Sequence, residues 1–297
     1  MRPILIIAGI KKSLEPFILS SQDLSGKVVF STWNKVSISK KLNRVFLING
    51  NKRIDMADFS LIYLRVVGKN IDLAHLLTDY LKDKKTIIID RFWTVYHHDS
   101  SKIFQYRLLA DHGLPVPKFI YGSAEFINLW GHTLGFPLIL KGIHGKQGRQ
   151  VFLVGNKNEL RLLCNRFTVG GGYFKPFSFL AQEFVDNDGD YRVFILGNRV
   201  LGTIKKTRQT EGEFRNNVSL GAVVEAASLP ANVIKMAIKA AHSCQIDIAG
   251  VDVVLDRQKK PFILEVNNAP QFIGFSQATG IDTARAIIDY LIGRAEK

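Results

Sequence analysis

The chain is 297 residues long, 46% hydrophobic and 22% charged, an ordinary globular balance with length for two domains, or for one two-lobed domain and a smaller one. No apolar run approaches the roughly 20 residues that span a bilayer, and two cysteines, Cys164 and Cys244, give neither a disulfide framework nor a metal spacing, so a cytoplasmic protein with no membrane partner is expected. The formal net charge of +14 draws anions such as nucleotides or acidic peptides, but no zinc-finger spacing or aromatic RNA-binding motif accompanies it, which argues against nucleic acid.

In chain order, "ILIIAG", "KVVF", "RVFLI", "LIYLRV" and "KTIIID" read as short buried strands, with a helical pattern from Ile71 to Leu81 among them. The apolar part of "MRPILIIAGIKK" is too short for a signal peptide and reads as the first strand. This β-rich start predicts a small α/β domain over 1–95. A helix begins near Ser100 or Ser101 and stops at Gly113, where "LPVP" bars continuation. "FPLILK" and "VFLVG" predict a hairpin whose long tip, "GIHGKQGRQ", carries glycines and cations. A helix from Lys157 to about Arg166, the strand "FLAQEFV" and the acidic turn "DNDGD" follow. Next comes the hairpin "YRVFILGNRVLGTIKK", whose Gly-Asn pair is a two-residue turn signal. Pro230 opens a helix with Val233, Ala237 and Ala241 on one stripe. "IAGVDVVL" and "PFILEV" predict a last hairpin, and a helix from about Asp282 closes the chain.

The last hairpin holds the strongest chemical signal. "PFILEVNNAP" reads as a buried strand, yet Glu265 and Asn267 sit where apolar residues are expected. Residues two apart share a face, so both point the same way, together with Ile263. A loop centred between Gln258 and Lys259 sets Asp252 opposite Glu265, with paired Cβ atoms about 5 Å apart. Like charges there destabilise a sheet, and burial strips each of hydration. Two arrangements relieve the conflict. A hard divalent cation suits the oxygen-only donors Asp252, Glu265 and Asn267; alternatively, one carboxylate pairs with a nearby Lys or Arg.

Other residues fit a nucleotide. Gly142, Gly145 and Gly148 leave backbone amides of the hairpin tip open to phosphates, beside Lys146. No GxxxxGK[ST] occurs, which excludes the P-loop class. Lys141 ends a buried strand and needs an anionic partner, and Lys205, Lys206 and Arg215 add cations. Arg65 faces either an acceptor carboxylate or a domain interface. His97 and His98 read as helix-capping or solvated, His144 as a loop residue within reach of phosphate. Trp33, Trp93 and Trp130 read as core.

In this order and spacing, "PLILK", the glycine loop, "AQEFV", "DGDYRVFILGNRVLGTIKK", "GEFRNNVSLGA", "IAGVDVV" and "FILEVNNAP" resemble an ATP-grasp ligase. The likeness is greatest to the RimK-like branch, whose founding member adds glutamate to a ribosomal protein. It covers roughly Lys102 to Ala295. The resemblance implies an α/β fold of two α+β lobes gripping ATP, divided as an N-lobe over 96–180 with a glycine loop at 142–150 and a C-lobe over 181–297, preceded by the small α/β domain. It implies that Lys102 and Lys141 reach the phosphates and that Gln182, Glu183, Phe184 and Val185 form the hinge strand at the adenine. Asp190 would lie near the ribose, Lys206, Arg215 and Asn217 around the terminal phosphate and acceptor, and Asp252, Glu265 and Asn267 on magnesium. Arg192 matches the family's D-x-R segment, as a ligand-facing or a structural residue.

The implied cofactors are ATP and Mg2+, two ions, with Mn2+ as a substitute. The implied reaction joins a carboxylate to an amine through an acyl phosphate, releasing ADP and phosphate. An amino acid such as glutamate and an acidic peptide or protein acceptor fit. Self-association is common among related enzymes. Gln150, Asn268-Ala269 and Gln271 depart from the family pattern, in the loop and acceptor pocket, and remove no metal ligand. A phosphotransferase acting on a hydroxyl and a nucleotide-binding regulator without turnover are the alternatives.

Overall fold

A computed structural model describes residues 2–95, 102–142, 151–169, 178–209 and 222–296. Four short apolar runs near the start, β1 (Ile4–Ala8), β2 (Val28–Thr32), β6 (Leu61–Leu64) and β7 (Ile87–Ile89), pair in parallel in the order β2-β1-β6-β7. The unbroken hydrophobicity of β1, β6 and β7 is what a parallel sheet covered on both faces requires, while β2, at the edge, ends in Ser31 and Thr32. Between β2 and β6 the chain inserts an antiparallel sheet of β3 (Val36–Ser39), β4 (Arg44–Asn49) and β5 (Lys52–Asp55). Helix α1 (Glu15–Leu19) follows β1, α2 (Ile71–Leu81) has the predicted bounds, and α3 (Phe92–Val95) and α4 (Lys102–Asp111) follow β7.

A second antiparallel sheet, β10-β9-β11-β8, comprises β8 (Phe119–Ser123), β9 (Leu138–Gly142), β10 (Val151–Val154) and β11 (Ser178–Glu183). Helices α5 (Ala124–Trp130) and α6 (Lys157–Val169) belong with it. Its core is its own: Ile127, Leu138, Leu140, Leu160, Cys164 and Phe179 form a closed cluster. The predicted strand "FLAQEFV" ends two residues early, at Glu183, because the chain leaves the sheet there for the turn.

The third sheet, β14-β13-β12-β15-β16, is antiparallel and built from β12 (Asp190–Leu196), β13 (Arg199–Thr207), β14 (Val223–Ala226), β15 (Ile248–Leu255) and β16 (Pro261–Asn267). Helix α7 (Ala231–Ser243) covers one face, its Val233, Ala237 and Ala240 meeting Val193, Val251 and Val253. Helices α8 (Ile273–Thr279) and α9 (Thr283–Ala295) cover one end of the other face, Phe275, Ile287 and Ile288 packing with Phe194, Ile204 and Ile248. Both clusters continue into the first sheet, so the first and third sheets share their cores. Among the described residues no helix is long and apolar enough to cross a membrane.

One register expectation needs correction. The turn after β15 is centred on Gln258, closed by Asp256 N–H to Lys260 O at 3.0 Å, half a residue earlier than predicted. Leu264 then bulges out of the ladder, which restores the predicted pairing of Asp252 with Glu265. The same bulge sends Ile263 to the α7 face against Val253, opposite to Glu265.

Candidate active site

The part of the third sheet that α8 and α9 leave uncovered carries alternate residues of four neighbouring strands: Asp190 and Arg192, Lys206, Asp252, then Glu265 and Asn267. Register puts Asp190 beside Lys206, Arg192 beside Asp252, Asp252 beside Glu265, and Gly250 beside Asn267. Arg192 grips Asp252 as a fork, Nε to Oδ1 at 2.8 Å and Nη2 to Oδ2 at 2.7 Å. Lys206 Nζ donates to Asp190 Oδ2 at 2.9 Å and reaches Asp252 Oδ1 at 3.4 Å. Burial pushes both carboxyls up. At Asp252 the attraction of Arg192 and Lys206 overcomes this and holds it at about 2, whereas Asp190 stays raised, at about 6. Asp190 is buried inside the sheet as a partner of Lys206, and its Oδ1 has no hydrogen-bond partner among the described residues.

Both predicted arrangements of the carboxylate pair bear on this geometry. Asp252 has its salt bridge; Glu265 makes no ion pair among the described residues. Among those residues no three acidic, histidine or cysteine side chains converge on one point, so a third donor has to be the Asn267 amide. Its Nδ2 lies 3.3 Å from Asp252 Oδ2 and 3.4 Å from Gly250 O. Asp252 thus has two short bonds, from Arg192, and two long contacts, from Lys206 and Asn267. The long contacts are weak enough to yield to a cation. With oxygen donors from Asp252, Glu265 and Asn267 on one face, the set fits a hard divalent ion.

Close packing holds the fork. A Cβ on Gly250 would stand 2.8 Å from Pro270 Cβ and 3.3 Å from Arg192 Cδ. Gly250→Ala is therefore expected to push Arg192 off Asp252 or Pro270 off the sheet, lowering stability by about 1–3 kcal/mol; urea denaturation measures it, and an unchanged midpoint counts against the packing argument.

Across from this face, β9 and β11 bring Lys141 and Gln182. Lys141 Nζ donates to Gln182 Oε1 at 2.7 Å and lies 5.8 Å from the centre of the Tyr106 ring. Burial pulls the ammonium down to about 8, with Glu265 opposing the shift and Lys102 adding to it, so the three groups share one field. Tyr106 Oη lies 2.9 Å from Gln182 Oε1 and 3.1 Å from Leu264 O, the bulge carbonyl, and its proton serves one at a time. Gln105 completes the join by pairing both amide atoms with the backbone of Val266, at 2.7 and 2.8 Å, as an added strand would. Sequence reasoning missed Gln105 and Tyr106; the signal was a glutamine inside an otherwise inward-facing helical stripe. Glu183 turns outward, its side chain accepting from Lys118 N–H at 2.8 Å and its own N–H donating to Lys118 O at 3.0 Å, while Val185 O accepts from Asn187 Nδ2 at 2.7 Å.

Gly145, Gly148, Lys146, His144, Gln150, Arg215, Asn217, His97 and His98 lie outside the described residues. Lys205 pairs with Asp188 at 3.3 Å. Arg65 is buried and donates to Pro270 O at 2.9 Å, which makes it an interface cation. Trp33 and Trp93 are core as expected, but Trp130, the last residue of α5, is 54% exposed.

The family model for the RimK-like ATP-grasp domain matches residues 99–291. The chain belongs to the RimK-like ATP-grasp family. A probable alpha-L-glutamate ligase of Cellvibrio japonicus is 32% identical over 197 residues, which are 64% of this chain and 62% of the relative's length; the matched part thus spans less than two thirds of that protein. The RimK domain protein of Sphaerobacter thermophilus superposes with a TM-score of 0.69 at 19% identity, over 98% of this chain and all of its own. The ATP-grasp ligase PsnB, solved with minimal precursor, Mg and ADP, superposes with a TM-score of 0.75 at 16% identity, over 99% of this chain and 98% of its own. At these identities the superpositions bear on fold: this is an ATP-grasp fold, as expected.

Proposed function

We propose that this RimK-like protein is an ATP-dependent carboxylate–amine ligase, forming an amide through an acyl phosphate and releasing ADP and phosphate. The observation that carries the proposal is the polar face itself: Asp252, Glu265 and Asn267 beside Lys206 and Arg192, with Lys141 and Lys102 opposite. A largely desolvated set, with Lys206 and Asp252 buried and the rest half-buried, that holds more cations than carboxylates is poised for a polyanion. Mg2+ held by Asp252, Glu265 and Asn267 would neutralise phosphate oxygens. Lys102, Lys141 and Lys206 hold the phosphates, and the backbone from Gln182 to Val185 meets the adenine. Asp190 keeps Lys206 in place. Arg215 and Asn217, with the glycine loop over 142–150, belong to the same proposal, Arg215 being assigned to the transferring phosphoryl group because a planar fork suits oxyanions. The chain's task is positioning and charge stabilisation. The domain limits 1–95, 96–180 and 181–297 belong to the same proposal.

Relatives named glutamate ligases, and peptide-bound neighbours such as PsnB, support an amino acid as carboxylate or amine and a peptide as acceptor; the basic surface favours an acidic one. ADP release is measured against amino acids and acidic peptides, with mass spectrometry of products. Release that needs both a carboxylate and an amine supports the ligase. Phosphorylated product without an amine means phosphotransfer, and tight binding without ADP means a regulator.

Lys141 gives a pH signature. A bound triphosphate raises its pKa back from about 8, so nucleotide binding near about pH 9 takes up a proton. Calorimetry in two buffers of different ionisation heat reads the uptake. Lys141→Arg, which does not titrate there, should lose it; uptake unchanged in that variant assigns the proton elsewhere.

A further inference from the structure

We infer that the N-terminal parallel sheet sets the geometry of the metal-binding hairpin through two positioning residues, Arg65 and Asp90, that touch neither metal nor nucleotide. The inference rests on the ligase reading of the β15/β16 hairpin and adds to it a task for the first domain.

Both residues follow adjacent strands of the first sheet, Arg65 one residue past β6 and Asp90 one past β7. They grip the same end of the hairpin. Arg65 Nη2 donates to Pro270 O at 2.9 Å, three residues after Asn267, while its guanidinium lies 5.2 Å from the centre of the Phe272 ring. Asp90 Oδ1 accepts from the backbone N–H groups of Asp247 and Ile248, at 2.9 and 3.0 Å, where β15 begins. Asp252 lies four residues along that strand, about 13 Å at strand rise. The C-terminal ends of two adjacent strands therefore fix both strands of the hairpin, β15 before Asp252 and the chain just after β16, at the end where Gly250 pairs with Asn267.

The cost of this arrangement argues that it is not there for stability. Arg65 is 3% exposed and Asp90 fully buried, yet among the described residues Arg65 Nε and Nη1 and Asp90 Oδ2 have no hydrogen-bond partner. Unmet donors and acceptors of this kind destabilise a core, and apolar side chains of similar volume usually serve folding better. What apolar residues cannot do is fix carbonyl and amide positions. Outer-shell groups that orient metal ligands act in this way.

Binding of the ATP analogue AMPPNP, with Mg2+ titrated and separately in EDTA, tests the inference. Arg65→Met is expected to need about tenfold more Mg2+ for half-maximal binding, with EDTA affinity within about twofold of wild type. Asp90→Asn keeps an Oδ1 acceptor for both amides and is expected to stay close to wild type in both titrations. If Arg65→Met does not fold, Arg65→Lys, which loses the planar guanidinium and keeps the charge, is judged on the same separation between Mg2+ and EDTA. Equal loss in both conditions, or an unchanged Mg2+ requirement, overturns the positioning role and leaves the ligase reading intact. Wild type that binds no AMPPNP at any Mg2+ concentration sinks the ligase reading, and this inference with it.

Discussion

Asp252→Asn should lose folding stability and Mg2+-dependent nucleotide binding together. The native carboxylate accepts two short bonds from Arg192 and a longer contact from Lys206, with only 9% of its side chain exposed. An amide there leaves a buried guanidinium without its anion, and breaking one side of such a pair costs about 3–5 kcal/mol. Mg2+ affinity should fall by more than about a hundredfold, since loss of outer-shell partners alone costs about 10- to 100-fold. The sign with pH follows from the depressed carboxyl. Asp252 contributes its stability above the ordinary carboxylate pKa of about 4 and loses it as the pH falls toward about 2. The stability gap between wild type and variant should therefore close over that acid range. Adding Arg192→Leu separates the two effects: the doubly substituted chain should regain most of its stability, with no buried charge left unpaired at that position, and none of its metal binding. Urea denaturation and calorimetry measure both. A single variant as stable as wild type would mean that the fork in the structure carries little of the energy assigned to it.

The sequence was most legible where two signals agreed. β15 and β16 are apolar runs around a polar turn, and they carry carboxylates that no apolar sheet would bury unpaired. From this the Asp252–Glu265 pairing follows, and the structure has it. The face assigned to Ile263 was wrong because a bulge has no periodic signature; it shifts one residue while leaving the hydrophobic pattern unbroken. β3 ("VSIS") and β5 ("KRID") escaped notice for a different reason. They are short and polar, and their pairing with the apolar β4 makes them strands. The contacts that bring the second sheet to the third were also illegible. Gln105, Tyr106 and Gln182 are ordinary residues in sequence, and only tertiary proximity makes them a bridge.

That bridge supports the residue with the sharpest conflict between folding and function, and Lys141→Met should expose it. Lys141 is held at about 8 by burial, far below an ordinary lysine, so its charge is carried at a cost on the order of 3 kcal/mol at neutral pH. Methionine removes that cost but forfeits the bond to Gln182, worth about 1–3 kcal/mol as a charged-donor bond. The balance favours the variant by about 1 kcal/mol, and the Tm should rise. With the sign worked through, the desolvation cost is full below about pH 8 and gone past about 10, where the unfolded lysine also loses its proton, so the variant's advantage shrinks to nothing near about pH 9 and reverses above it, where the forfeited bond to Gln182 is what remains. Turnover should move the other way, by about 100- to 1000-fold, the loss expected when one preorganised group facing transition-state charge is removed. Thermal denaturation from pH 7 to 10 and ADP release at saturating ATP give the two numbers. A variant that loses stability as well as turnover identifies Lys141 as a brace between the sheets; a more stable, inactive one identifies it as a charge kept for the phosphates, because no folding interaction accounts for retaining it.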